Sequence, residues 1–126
     1  EHDWQTAEHL FEKGDYAWCL FIGHLVLEKI LKAIYVRDNQ QAPPRTHNLV
    51  MLAKATTLVR TAEQEQFLYR VNDFNLEARY PDEKQAFYAL CTKEFTTEQF
   101  TRIKEYSQWL KSQITFSASS NVTSQP

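Results

Sequence analysis

Apolar residues along this 126-residue chain recur at the three- and four-residue steps of a helix, and no segment alternates as a half-buried strand does. Trp4, Ala7, Leu10 and Phe11 form one face of a first helix, which Asp3 can cap and Gly14 can end. Asp15 then opens a second helix running to about Arg37. Its apolar residues point in almost every direction: Trp18, Phe21, Ile22, Leu25, Val26, Leu27, Ile30, Leu31 and Ile34. Such a helix must be covered nearly all round, at a bundle centre or in a subunit interface. Its polar stripe is His24, Glu28 and Lys32 at four-residue steps, with Lys29 adjacent.

Asp38 to Arg45, with Pro43 and Pro44, reads as a loop, and Thr46 can restart a helix through Leu49, Val50, Leu52 and Ala53. Thr61 and Gln64 fit a capping box, opening a helix with Phe67, Val71, Phe74 and Ala78 on one stripe. Pro81 disfavours helix at Tyr80, and the residues from Glu83 to Phe95 read as loop or as a short extra helix. Thr96 and Gln99 predict a second capping box, for a last helix carrying Phe100, Ile103, Leu110 and Ile114. From Ser117 the chain is polar, so one domain is expected over residues 1–116 and a disordered Ser-rich tail over 117–126. The pattern predicts an all-α, up-and-down bundle of about five helices, and the apolar second helix predicts a homodimer.

Composition narrows the chemistry. With 2 glycines and 4 prolines, the chain has no glycine-rich phosphate loop and too few turn residues for a sheet-rich domain, so any nucleotide must be gripped by side chains. Gly23, in mid-helix, predicts a close helix approach beside His24, at the dimer seam. The four histidines hold no metal-binding spacing, and no cofactor is expected. Cys19 and Cys91 lack a CxxC partner and read as thiols of a reducing compartment, with Cys19 in the core. Neither a leader nor a membrane-length apolar run is visible, so the expected location is the cytoplasm, away from any membrane.

Charge is segregated. Residues 1–28 hold six acids against one base, and residues 29–60 hold six bases against one acid, which makes the middle of the chain a candidate anion-facing surface. The plainer alternative is that the two blocks neutralise each other in the fold. Three polar clusters stand out. Glu28, Lys29 and Lys32 lie in the most apolar helix, either as an anion contact or as a solvated edge held by the Glu28–Lys32 pair. Arg45-Thr46-His47-Asn48 stands at a helix start, where N–H groups favour anions and His47 can move a proton, or where Thr46 simply caps. Asn75 to Asp82 contains Arg79, a fork for phosphate or for helix-end carbonyls, and Tyr80, a ring for stacking.

The segments Phe21 to Ala33, Pro44 to Leu49 and Phe74 to Asp82, in that order, resemble the HEPN domain family in the branch that carries Arg-Tyr-Pro. Lys93-Glu94-Phe95 and Trp109-Leu110-Lys111 resemble that branch's tail. Leu25-Val26-Leu27 stands where members often have Gln-Ala-Ala, and Asn48 where Asp is commoner. The resemblance implies a dimerising bundle in a prokaryotic setting, working with a minimal nucleotidyltransferase as a toxin–antitoxin type of pair. Ribonucleases of the family carry Arg followed after four to six residues by His. No arginine here has that spacing, because the last histidine is His47. The expectation is therefore a noncatalytic homodimer that binds a nucleotide or other phosphate-bearing ligand through Lys29, Lys32, His47, Arg79 and Tyr80. The alternatives are a divergent ribonuclease, in which His47 and Arg79 act on RNA, and a pure protein-interaction module.

Overall fold

A computed structural model describes residues 2–123, with side chains described for 2–114; of the tail expected over 117–126, residues 124–126 lie outside the described residues and no side chain is described. Six α-helices and one 3-10 turn are present among the described residues, and no strand. They are α1 (His2–Glu12), α2 (Tyr16–Asn39), α3 (Leu49–Lys54), α4 (Ala62–Asn72), the turn Leu76–Ala78, α5 (Pro81–Leu90) and α6 (Lys93–Thr123). The sixth helix is α5, in the stretch where loop and helix were both open. Pro81 starts it, since proline at a first helical position loses no hydrogen bond, and the Glu83 carboxylate accepts from the Tyr80 N–H at 2.8 Å.

The local signals place most boundaries. Gly14 closes α1 with φ +82°, a left-handed conformation that glycine adopts freely. Thr61 and Gln64 form the expected reciprocal capping box of α4, at 3.1 and 2.9 Å. Four expectations are corrected. Asp15 precedes α2 without a side-chain cap bond. Asp3 lies within the first turn of α1 and pairs with Lys29. The cap of α3 is Asn48, two positions beyond Thr46, because its Oδ1 accepts from two N–H groups at once, Val50 at 3.1 Å and Met51 at 3.2 Å. Finally, α6 begins before Thr96: the Thr92 hydroxyl accepts from the Phe95 N–H at 3.1 Å, while Thr96 and Gln99 are buried inside the helix.

The 24-residue α2, about 36 Å long at 1.5 Å per residue, is the axis of the bundle. It packs chiefly against α1 and α6, and next against α3. Leu20, Leu27, Leu31 and Ile34 on α2 join Leu49, Leu52, Leu68, Phe74, Ile103 and Leu110 in one core. Cys19 is buried among them, and burial pushes its thiol up to about 12. Gly23 faces this interior: a Cβ there would stand 3.0 Å from Ile103 Cδ1 of α6. The close approach predicted at Gly23 is therefore made within the chain, where the expectation had put it at a dimer seam. The stripe expected to run from Phe67 to Ala78 also breaks, since α4 ends at Asn72; Phe74 stays in the core from the following turn, and Ala78 is exposed.

Candidate functional site

Glu28 is the centre of the polar network. It sits on the buried side of α2 at 6% exposure, one turn after the fully buried His24 and one turn before Lys32. A lone carboxylate there would be costly, and two neighbours answer it. The Lys32 ammonium donates to Oε2 at 2.9 Å, and His47 Nδ1 lies 3.0 and 3.1 Å from the two carboxylate oxygens. Burial alone would raise the Glu28 carboxyl, but the hydrogen bonds from Lys32 and His47 outweigh it and hold the group below the usual carboxylate range.

His24 ties the network to the loop before α3. Its Nε2 lies 3.1 Å from the His47 carbonyl, so this nitrogen must carry the proton. Its Nδ1 is buried without a hydrogen-bond partner and stands 3.9 Å from Glu28 Oε1. Burial keeps the imidazole below its ordinary pKa, against the opposing pull of the His47 carbonyl and Glu28. His47 also donates, since a carboxylate only accepts; this places its proton on Nδ1 and leaves Nε2 as the ring's remaining polar atom. That side chain is 60% exposed.

The first two clusters thus meet, and the third adjoins them through a pair of asparagines. Asn72, the last residue of α4, accepts from the Leu49 N–H at 2.8 Å and donates to Asn48 Oδ1 at 3.0 Å. The first N–H groups of α3 are therefore spent on Asn48 and Asn72, which removes the helix-start anion contact expected at Arg45 to Asn48. Beyond Asn72, the Asp73 carbonyl accepts from Arg79 Nε at 2.8 Å and from a second guanidinium nitrogen. The same guanidinium carbon lies 4.7 Å from the Phe87 ring centroid. Arg79 thus takes the helix-end role that the sequence left open, strapping the end of α4 to α5. Tyr80 beside it is 77% exposed.

Of the five candidate residues, Lys32 and His47 converge on Glu28, Arg79 is fastened to the Asp73 carbonyl one residue beyond Asn72, and Tyr80 is exposed beside it. Lys29 turns away. It is roughly 60° further round α2 than Lys32 and pairs with Asp3 of α1. The residues that sequence reasoning left off the site are Glu28, His24 and Asn72. The His24-Glu28-Lys32 stripe on an apolar helix was the signal for the first two; nothing local marked Asn72.

The model of one protein family, described as HEPN domain, matches residues 1–113. The chain belongs to the HEPN domain family. Comparison with curated proteins and with solved structures returned no match. In this HEPN chain the first two segments that carry the resemblance are joined by the Glu28–His47 hydrogen bond, and Asn48 of the second bonds Asn72, two residues before the third. No helix among the described residues is long and apolar enough to cross a membrane.

Proposed function

We propose that this HEPN chain is a noncatalytic, homodimeric, cytoplasmic bundle that binds a nucleotide or another phosphate-bearing ligand beside His47 and works with a minimal nucleotidyltransferase, as a prokaryotic toxin–antitoxin type of pair. The observation that carries the ligand reading is the fixed, outward half of the Glu28 network. His47 is oriented by a buried carboxylate through Nδ1, so that in the imidazolium form its Nε2 donates to a phosphate oxygen without further ordering. Lys32 uses one of its three donors on Glu28 and keeps the others for a phosphate oxygen. Arg79 keeps donors beyond the two given to Asp73, and Tyr80, its chain neighbour, offers an exposed ring.

Titration of the native protein with ATP, followed by amide chemical shifts, tests this. Saturable shifts around His47, weakened at least about tenfold by Lys32→Ala and by His47→Ala, are expected from the loss of a charge-assisted hydrogen bond. No binding by the native protein or by its complex with the partner overturns the ligand reading. A nucleotidyltransferase gene beside this one, with co-purification of the two products, tests the partner.

The Glu28–His47 pair also favours a second reading, the divergent ribonuclease. A carboxylate on Nδ1 orients a histidine for proton transfer at Nε2. Structured and unstructured RNA left intact by the native protein excludes it; cleavage that disappears in His47→Ala establishes it.

A further inference from the structure

A second feature lies away from the His47 surface. Helices α1, α2 and α6 enclose a groove of about 400 Å³, at the small end of the roughly 300–1,000 Å³ that small-molecule sites occupy. Its floor is apolar: Val26 and Ile30, one turn apart on α2, with Trp4 of α1, all only partly buried. Trp4 is fixed in advance, because its indole stacks on Phe100 of α6 with ring centroids 4.5 Å and planes 16° apart. The charges round this floor are not all spent. Lys29 is matched by Asp3, and Lys111 is not free either. Glu8 on the α1 wall and Lys104 on the α6 wall differ from them: both line the groove, and neither side chain has an ion-pair or hydrogen-bond partner among the described residues.

We propose that this groove binds a free α-amino acid with a large apolar side chain. The ligand's carboxylate accepts from the Lys104 ammonium, its α-ammonium donates to the Glu8 carboxylate, and its side chain covers Val26, Ile30 and the indole of Trp4. A ligand with one sign of charge is matched on one wall and repelled on the other, and an uncharged apolar ligand leaves both walls unused. An α-amino acid carries both charges and its apolar branch on one carbon, so it meets all three surfaces at once. Each wall is exposed, so water competes for each ionic contact and neither suffices alone. Selectivity therefore comes from requiring the two charges and the apolar side chain together. A nucleotide polyphosphate would bring several negative charges against Glu8, which separates this groove from the phosphate-bearing ligand proposed beside His47.

Titration of the native protein with phenylalanine, followed by amide and indole chemical shifts, tests the proposal. Three analogues each lack one feature: 3-phenylpropanoate the ammonium, 2-phenylethylamine the carboxylate, and glycine the side chain. Phenylalanine is expected to give saturable shifts at Trp4, Val26 and Ile30, and each analogue to bind about fivefold or more weakly. Two exposed-site variants with unchanged helix content then assign the walls. Glu8→Gln is expected to weaken phenylalanine about fivefold or more while leaving 3-phenylpropanoate no weaker than in the native protein. Lys104→Gln is expected to do the same to phenylalanine while sparing 2-phenylethylamine. No saturable shift with phenylalanine overturns the proposal. An analogue with one charge that binds as tightly as phenylalanine overturns the zwitterion reading, and phenylalanine binding that neither variant weakens overturns the groove as its place. ATP that shifts the same three residues and competes with phenylalanine overturns the amino acid as the groove's ligand, whatever happens at His47.

Discussion

Replacing Gly23 by alanine sets two known effects against each other. A glycine in a helix interior is about 1 kcal/mol less favourable than alanine, so the backbone alone predicts a stabilised protein. The new methyl, however, would meet Ile103 Cδ1 at 3.0 Å and Cγ2 at 3.4 Å, where carbon pairs prefer about 3.5–4.0 Å. Ile103 is fully buried, so it has to move by about half an ångström inside a packed core, a type of overpacking that costs about 1–3 kcal/mol. The expected net effect of Gly23→Ala is a loss of about 0–2 kcal/mol. Ile103→Val removes the offending Cδ1 and by itself costs about 0.5–1.5 kcal/mol. In the double variant the alanine methyl fills the vacated space and the helix gain survives. Its stability should return close to native, a coupling of at least about 1 kcal/mol. Urea denaturation followed by helical circular dichroism, at one protein concentration, measures all three. Gly23→Ala that stabilises by the full helix term, with Ile103→Val strictly additive, would refute the contact.

Three further outcomes follow from the Glu28 network and the α3 start. Glu28→Ala should cost about 1.5–3 kcal/mol, the range for hydrogen bonds to a charged group, because Lys32 and His47 are partly exposed and regain water; a loss below half a kcal/mol in denaturation would sink that account. His24 and Glu28 both have folded pKa values below their ordinary ones, so the unfolded chain binds more protons and acid destabilises the fold. The His24 contribution is lost first, as pH falls below about 6.5, and the Glu28 contribution below about 4.3. His24→Gln should flatten the first step of stability against pH, and an unchanged step would show that another group causes it. Asn48→Ala and Asn72→Ala should each cost about 1 kcal/mol as lost caps of α3, and the pair should cost less than their sum. Strict additivity in a double-mutant cycle would mean that the two amides do not act together.

Legibility along the chain divides by the range of the interaction. Gly14 and the Thr61–Gln64 box act on their own neighbours and set boundaries where the pattern put them, whereas Pro81, read as ending the Arg79–Tyr80 segment, begins α5, and α4 has already stopped at Asn72. Thr96 and Gln99 show the limit of the same signal. The spacing of a capping box recurs inside a helix, and which copy caps depends on where packing starts the helix; here Thr92, one turn earlier, does so. For the site, His47 and Lys32 were visible as residue types, but their common partner was not. Read from spacing alone, Glu28 was half of an exposed i,i+4 pair. Only the loop folding back over α2 buries it and brings His47 to its carboxylate, 19 positions away.

The sequence by itself determined that this chain is an all-helical HEPN bundle, because helical periodicity, turn residues and the near absence of glycine are local or compositional properties. Tertiary structure decided which charged groups are spent on the fold and which face outward. Lys29 went to Asp3, Arg79 to the end of α4, and Gly23 to Ile103 of the same chain. Each of those outcomes depends on what another helix places within a few ångströms, and the spacing of residues along one helix carries no record of its neighbours.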